Sequence, residues 1–141
     1  MHQRVAAKFR EGRILLAGDS AHVNNSIGGM GLNGGIQDAV NLCDKLGQVI
    51  LDGADDRLMD LYDRQRRTYA VEFVQEQTIA NKKRLEATDP EARAVNLQNL
   101  RDTAADPAGA RTFLLGSSMI AAMRRNAEMM LEDSEEAVST A

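Results

Sequence analysis

Glycine is concentrated at one place in this 141-residue chain, and this concentration most limits how the chain can fold. Nine of the 11 glycines lie in the first 53 residues, and six of those nine lie between Gly18 and Gly35. Glycine permits tight turns and lets a backbone approach another group without a Cβ clash. We therefore expect a closely packed, irregular N-terminal segment, followed after Gly53 by a region of helices.

A short apolar run precedes most of the glycines. Residues 13–17 lie between Gly12 and Gly18, and a run of this length bounded by glycines is typical of a buried strand. The run has no polar alternation, which predicts that both of its faces are covered, as in a parallel sheet. Residues 5–9 are either a second strand or an irregular lead-in.

Helical periodicity begins at the end of the glycine-rich segment. Apolar residues at positions 32–50 follow the i, i+3, i+4, i+7 spacing, and Gly53 is a C-terminal stop signal. Asp55 or Asp56 is expected to cap a long helix that runs to about Ala87.

Two later helices are predicted to begin with the same dipeptide. Asp-Pro occurs at residues 89–90 and again at 106–107, which places Asp at the N-cap and Pro at the first helical position. The Gly-Ser-Ser sequence at residues 116–118 predicts a kink in the second helix. The acidic residues at 132–141 predict a mobile tail.

Composition excludes several classes of function. Lysine and arginine total 17 and aspartate and glutamate total 21, so the net charge of −4 argues against a nucleic-acid partner. One cysteine excludes a disulfide framework and a cysteine-based zinc site, and two histidines are too few for a helical metal site. No apolar stretch is long enough to cross a membrane and the first residues lack a signal-peptide core, so we expect a cytoplasmic protein.

The residue types around the glycines favour one kind of ligand. Ligands of open α/β sheets bind at the carboxyl ends of strands, where Asp19 lies. The helix N-terminus behind the glycines offers unpaired N–H groups and partial positive charge. Asp19 repels phosphate but can accept hydrogen bonds from sugar or ribityl hydroxyls. The combination predicts a nucleotide-like cofactor that carries both hydroxyls and phosphates.

The ordered segment GDSAH (residues 18–22) and GGMGLNGGIQDAVNLCDKL (residues 28–46) resembles the second FAD motif of flavoprotein aromatic monooxygenases, the p-hydroxybenzoate hydroxylase-like family. The sequence YDRQRR at residues 62–67 fits the same family, which more often has Glu in place of Gln65 and Pro in place of Thr68. The usual proline before the first loop glycine is also missing.

The resemblance implies FAD as cofactor, NAD(P)H as co-substrate and a small aromatic substrate that receives one oxygen atom. It implies that Asp19 binds the ribityl chain and that the backbone N–H groups of Leu32 and Asn33 face the flavin N1 and C2 carbonyl. The residues that it assigns to cofactor binding are Gly18, Asp19, Gly28, Gly29, Gly31, Leu32 and Asn33. It assigns no catalytic residue and no metal ligand.

The family's Gly-x-Gly-x-x-Gly motif for the ADP half of FAD does not occur in this sequence. We therefore expect the C-terminal portion of a monooxygenase: mainly α, with one or two short strands, a fragment of an α/β FAD-binding fold. Its expected regions are an FAD-motif segment (1–53), a helical region (54–131) and the tail (132–141). An unpaired strand and an apolar helix face predict a homo-oligomer or a missing N-terminal part. The alternative is a non-catalytic helical module or remnant.

Several residues also have a simpler structural interpretation. Asp19 could be an ordinary turn acid, and His22 is expected to bond the local backbone rather than act as a base. Asn33 is explained as a helix N-cap, which is compatible with a flavin contact. Cys43 is expected to be a small core residue. The arginines of residues 64–67 are expected to form a solvated or ion-paired helix face.

Overall fold

The computed structural model describes residues 3–26, 29–86 and 88–131. Its strands are β1 (Arg4–Val5), β2 (Arg10–Glu11), β3 (Ile14–Leu15) and β4 (His22–Val23). Its α-helices are α1 (Met30–Leu51), α2 (Leu58–Thr68), α3 (Glu76–Leu85), α4 (Pro90–Ala105), α5 (Pro107–Ser117) and α6 (Ile120–Glu128). A 3-10 turn spans Gly18–Ser20, and a π-helical stretch spans Tyr69–Gln75. The prediction of a mainly α chain with short strands is confirmed, while the predicted tail lies outside the described residues.

The strands form two small antiparallel pairs. β2 pairs with β3 across the turn at Gly12, which has a positive φ of 57°, and β1 pairs with β4. The predicted strand at residues 13–17 therefore exists only as β3, and its backbone has a partner within the chain. The expectation that both of its faces are covered is wrong, because the Ile14 side chain is 69% exposed. The two strands of a local hairpin pair with each other. This pairing does not require helices to cover either face, so a side chain such as Ile14 can remain exposed.

Helix α1 begins two residues earlier than the periodicity predicts, and it ends next to the predicted stop. Asp52 is its C-cap, and Gly53 follows with a φ of 68°, a left-handed conformation that favours glycine. The helix turns an unexpected face inward. Its buried residues are Met30, Gly34, Asp38 and Lys45.

The apolar stripe of α1 faces solvent instead. The Leu32 side chain is 77% exposed, and Ile36 and Val40 are also exposed. Cys43 shares this exposed face, so the expectation that it is a core residue is wrong. Helical periodicity identifies an apolar stripe, but it does not say whether the covering partner belongs to the same chain.

Two adjoining clusters form the core. Phe9, Ala21, Tyr62 and Ala70 make the first cluster, in which the N-terminal strands pack on α1 and α2. Met30, Tyr69, Val74 and Ala122 make the second, which joins the start of α1 to the π-helical stretch and α6. Phe9 and the two tyrosines are fully buried and supply large apolar surfaces to these clusters.

The long helix predicted after residue 55 is present, with a π-helical stretch in its middle. It begins at Leu58, and its N-cap is Arg57, which has no side-chain cap bond. The cap predicted at Asp55 or Asp56 is therefore wrong. Asp55 instead accepts a hydrogen bond from the Arg57 backbone at 2.9 Å, within the turn before the helix.

Both predicted Asp-Pro starts are confirmed. Asp89 caps α4 by accepting from the Ala92 backbone, and Asp106 caps α5 by accepting from the Gly109 backbone. The predicted kink is a full break, because Met119 has a φ of 64° between α5 and α6. None of the helices formed by the described residues is long and apolar enough to cross a bilayer.

Candidate functional site

The candidate site is built where the 3-10 turn lies against α1. A Cβ added to Gly35 would lie 3.2 Å from the Gly18 Cα, so a side chain there would push the two backbones apart. Gly18 also has a φ of 61°, which favours glycine at this turn. The two glycines therefore let the turn rest on the second turn of α1. Asp19, the next residue of that turn, is exposed.

The first turn of α1 carries no negative charge. Its N-cap is Gly29, in a left-handed conformation with no side-chain cap, and the first turn has no acidic residue. A Cβ on Gly29 would meet nothing within 4 Å. Because α1 begins at Met30, the backbone N–H groups of residues 30–32 precede its first i−4 hydrogen bond. These amides can bind an anion or a polarised carbonyl oxygen.

Asn33 has a different role from the predicted N-cap. Its side-chain Nδ2 donates to the Gly29 carbonyl at 2.8 Å, one turn back along α1. The N-cap interpretation of Asn33 is therefore wrong. The side chain instead fixes the orientation of the left-handed Gly29, from which the helix starts.

A buried carboxylate holds the turn in place. Asp38, fully buried on α1, accepts from the Gly18 backbone N–H at 2.9 Å through Oδ2. The same oxygen lies 2.7 Å from His22 Nε2 on β4. Its Oδ1 accepts from Arg66 Nε on α2 at 2.6 Å. Three separate segments therefore meet at one side chain, which fixes the position of the turn that carries Asp19.

The charge state of Asp38 follows from these partners. Burial by itself would raise the pKa of its carboxyl. The hydrogen bond from His22, the charge and hydrogen bond of Arg66, and the Gly18 amide outweigh burial and hold the pKa of Asp38 below its ordinary value. Asp38 is therefore an anion that Arg66 compensates.

His22 has a structural role, as expected, but the prediction that it bonds the local backbone is wrong. Nε2 faces the Asp38 carboxylate and no local backbone group. Nδ1 is buried and has no hydrogen-bond partner among the described residues.

Two buried tyrosines, Tyr62 and Tyr69, pack in the core that supports the site. The Arg66 guanidinium stacks over the Tyr69 ring, 4.2 Å from its centroid. The Tyr69 hydroxyl donates to Met119 Sδ at 2.6 Å, and the Tyr62 hydroxyl donates to the Leu16 carbonyl at 2.7 Å. Burial raises the pKa of both phenols, so they remain neutral donors.

The structure gathers most of the predicted site residues at one place. The turn brings Gly18 and Asp19 to the second turn of α1. Gly29 is the N-cap of this helix, and Gly31, Leu32 and Asn33 lie in its first turn. Gly28 lies outside the described residues. No group of three metal-ligating side chains occurs in the described ranges.

Sequence analysis missed Asp38, Arg66 and Tyr69, which support the site from the core. Asp38 lies among polar positions of an amphipathic helix, which is typical of a solvated acid. The opposite charges of Asp38 and Arg66 predict an ion pair only if it is already known that α1 packs on α2. Arg66 is ion-paired, as one of the two interpretations held.

Comparison with known proteins gives consistent results. A protein-family model described as an FAD binding domain matches residues 1–77. Para-nitrophenol 4-monooxygenase of Pseudomonas sp. (strain WBC-3) is 41% identical over 115 residues, covering 82% of this chain and 28% of the relative. 6-Hydroxy-3-succinoylpyridine 3-monooxygenase of Pseudomonas putida is 36% identical over 125 residues, covering 81% of this chain and 32% of the relative.

Solved structures show the same similarity. The crystal structure of p-nitrophenol 4-monooxygenase from Pseudomonas putida DLL-E4 superposes with a TM-score of 0.63 at 35% identity, covering 90% of this chain and 30% of that one. Anhydrotetracycline hydroxylase from Streptomyces rimosus superposes with a TM-score of 0.69 at 36% identity, covering 83% and 24%. The chain thus spans less than a third of the length of each of these proteins.

Proposed function

This chain belongs to the FAD binding domain family, and from that premise we propose that it is the C-terminal portion of an FAD-dependent monooxygenase that hydroxylates an aromatic substrate with NAD(P)H and O2. Within that enzyme it contributes the contacts to the ribityl chain and the flavin ring. The ADP half of the cofactor is bound by the part of the protein that this chain does not contain.

One contact carries this proposal: the packing of Gly18 on Gly35. It holds an exposed carboxylate, Asp19, against a helix whose first amides are unpaired. In our proposal the Asp19 carboxylate accepts hydrogen bonds from ribityl hydroxyls. The residues around the helix start, Gly28, Gly29, Gly31, Leu32 and Asn33, lie beside the flavin ring. The Leu32 amide, which has no i−4 partner, and the Asn33 amide, which is the first to have one, face N1 and the C2 carbonyl.

The chemistry of these groups fits a flavin. FAD bound here would supply hydride acceptance from NAD(P)H and reaction with O2. The amide donors at the N-terminus of α1 would stabilise negative charge at the N1–C2 edge of the flavin ring. The absence of an acidic residue from the first turn of α1 keeps that end of the helix favourable to an anion.

The relatives' names suggest the class of substrate, and the composition suggests the cellular location. The relatives' names include p-nitrophenol and anhydrotetracycline, both of which contain an aromatic ring. A small aromatic substrate is therefore the class that we propose for the complete enzyme. A cytoplasmic location is part of the proposal, because a single cysteine is typical of a reducing compartment.

Flavin binding by the purified 141-residue chain tests the proposal. We expect riboflavin, FMN and FAD to bind with similar weak affinities, measured by quenching of flavin fluorescence. ADP should not compete, because the proposed contacts are to the ribityl chain and the ring. The variant Asp19→Asn should weaken riboflavin binding by about tenfold, since a carboxylate accepts stronger hydrogen bonds than an amide.

The matched control is Asp52→Asn, because Asp52 is also an exposed acid and lies directly after α1. It should leave riboflavin binding unchanged. Failure of the chain to bind riboflavin, or equal weakening by the two variants, would contradict the assigned contacts. Stable flavin-free folding together with such a failure would favour a non-catalytic helical module.

A further inference from the structure

A cavity of about 490 Å³ lies away from the start of α1, between α1, α2 and α6. Its volume is within the range of small-molecule sites, and three helices of this chain supply its walls. On α1 it is lined by residues from Ile36 to Lys45, which lie in the second to fifth turns of that helix. None of the proposed flavin contacts lines it.

The cavity contains polar groups without partners. Asn126 on α6 is 4% exposed, and neither Nδ2 nor Oδ1 of its side chain has a hydrogen-bond partner among the described residues. Gln37 Oε1 on α1 is also buried and unpartnered there. Unsatisfied buried polar atoms are uncommon and costly, so this cluster indicates that an occupant completes the site.

A hydrogen-bonded row of side chains connects Asn126 to a lysine. Lys45 Nζ donates to Asn41 Oδ1 at 2.9 Å, and Asn41 Nδ2 donates to Gln65 Oε1 at 3.1 Å. Gln65 Nε2 then donates to the Asn126 carbonyl at 2.7 Å. The row crosses from α1 through α2 to α6 and forms a polar wall of the cavity.

Lys45 lacks an anionic partner. It is 7% exposed, and no carboxylate of the described residues lies within ion-pair distance of its ammonium group. Burial lowers its pKa, the nearby Asp44 charge raises it, and Arg66 lowers it further. A buried ammonium with one hydrogen bond is unfavourable, and a carboxylate beside it would relieve that cost.

Four aliphatic side chains also line the cavity, namely Ile36, Val40, Met123 and Ala127, and no aromatic side chain does. Ile36 and Val40 belong to the exposed stripe of α1, so the cavity opens to solvent there. Two charged residues complete the lining: Arg66, which is already paired with Asp38, and Asp44, which is exposed. The aliphatic side chains favour a ligand with a compact apolar body. We propose that this cavity binds a small organic carboxylate with a compact apolar body, whose carboxylate accepts from Lys45 and from the Asn126 side-chain amide.

Titration of the full 141-residue chain with cyclohexanecarboxylate tests this assignment. The readout is the set of nitrogen-15 NMR signals from the α1 backbone and the Asn126 side-chain amide. We expect saturable shifts confined to the cavity. Cyclohexanecarboxamide, the neutral analogue, should bind at least about tenfold more weakly, because a charged acceptor gains more from Lys45.

Two matched variants separate the cavity from general anion binding. Lys45→Met should weaken cyclohexanecarboxylate binding by at least about tenfold, whereas Lys83→Met, at an exposed lysine of α3, should not change it. Lys45→Met removes an unpaired buried charge, so it is expected to stay folded, which thermal unfolding checks. The comparison of cyclohexanecarboxylate with cyclohexanecarboxamide uses the wild-type chain, so it does not depend on the folding of a variant.

The assignment is overturned if no saturable shift appears up to the solubility of the acid, which would mean that water satisfies these groups. Equal binding of acid and amide would also overturn it, as would equal binding by wild type and a folded Lys45→Met. Because no flavin enters the experiment, its failure leaves the proposed function untouched. Failure of riboflavin binding likewise leaves this cavity unaffected.

Discussion

Arg66 and Asp38 form an ion pair that is almost fully removed from solvent. Arg66 Nε lies 2.6 Å from Asp38 Oδ1, and the two side chains are 3% and 0% exposed. The pair joins α2 to α1, while the other carboxylate oxygen holds the Gly18 amide and faces His22. The position of the proposed flavin-binding turn therefore depends on a charge buried in the core.

Asp38→Asn should destabilise the chain by about 3–5 kcal/mol, because it leaves the Arg66 guanidinium buried without its anion. The free energy of unfolding in urea measures the effect. Asp52→Asn, at an exposed acid directly after the same helix, should change it by less than about 0.5 kcal/mol.

The double variant Asp38→Leu with Arg66→Met is the complementary test of this ion pair. Replacing both charges by apolar groups removes the desolvation cost as well as the attraction, so it should be less destabilising than Asp38→Asn alone. If Asp38→Asn were as stable as wild type, the Asp38–Arg66 ion pair would not hold α1 and α2 together.

Stability should fall in acid through the same carboxyl. The pKa of Asp38 is lower in the folded chain than its ordinary value of 3.8, so the unfolded chain takes up the proton first. This contribution is fully present above about pH 3.8 and is lost as pH falls through the lower folded-state pKa. Urea unfolding as a function of pH should therefore show a smaller acid loss in Asp38→Asn than in wild type. Parallel curves would contradict this assignment.

Two glycines of α1 offer a matched test of the turn–helix contact. Alanine in a helix interior is favoured over glycine by about 1 kcal/mol, and a Cβ at Gly47 would meet nothing within 4 Å. Gly47→Ala should therefore raise the free energy of unfolding by up to about that amount. Gly35→Ala should gain less or lose stability, because its Cβ would lie 3.2 Å from the Gly18 Cα.

Gly35→Ala should also weaken riboflavin binding while Gly47→Ala does not, since only the first displaces the turn that carries Asp19. Quenching of flavin fluorescence measures riboflavin binding by each of the two variants. Equal gains in stability and unchanged binding in both variants would show that the close approach of Gly18 and Gly35 has no effect on the site.

The exposed apolar stripe of α1 should cause self-association. Ile50 and Leu51, at the end of the helix and away from both proposed sites, are 70% and 83% exposed. The double variant Ile50→Asp, Leu51→Asp should lower the average mass measured by light scattering, because charge opposes burial of the stripe. Asn99→Asp, which adds a charge on the exposed surface of α4, is the control. A wild-type chain that is monomeric at high concentration would contradict the prediction.

Local signals allowed much of the fold to be predicted. The two Asp-Pro helix starts depend on side chains that bond amides two or three residues away, and Asp89 and Asp106 form those bonds. The end of α1 before Gly53 is local in the same sense, because a left-handed residue stops the helix wherever it packs. The Gly18–Asp19 turn and the glycine-rich helix start were found together because their pattern is ordered along the sequence.

The interior of the site could not be predicted in this way. Asp38 has its partners at positions 18, 22 and 66, and no local pattern links those positions. The same limit explains Cys43 and Ile14, which belong to apolar patterns yet are exposed. Burial depends on which surfaces meet, and periodicity reports only which surface is apolar.

The sequence by itself determined the two Asp-Pro helix starts, the end of α1 and the glycine-bounded turn, because these arise from interactions between residues close along the chain. Only the tertiary structure decided which face of α1 is buried and which charged groups compensate one another. A buried charge is stable only where a distant segment brings its counter-ion, and that meeting is a property of the folded chain.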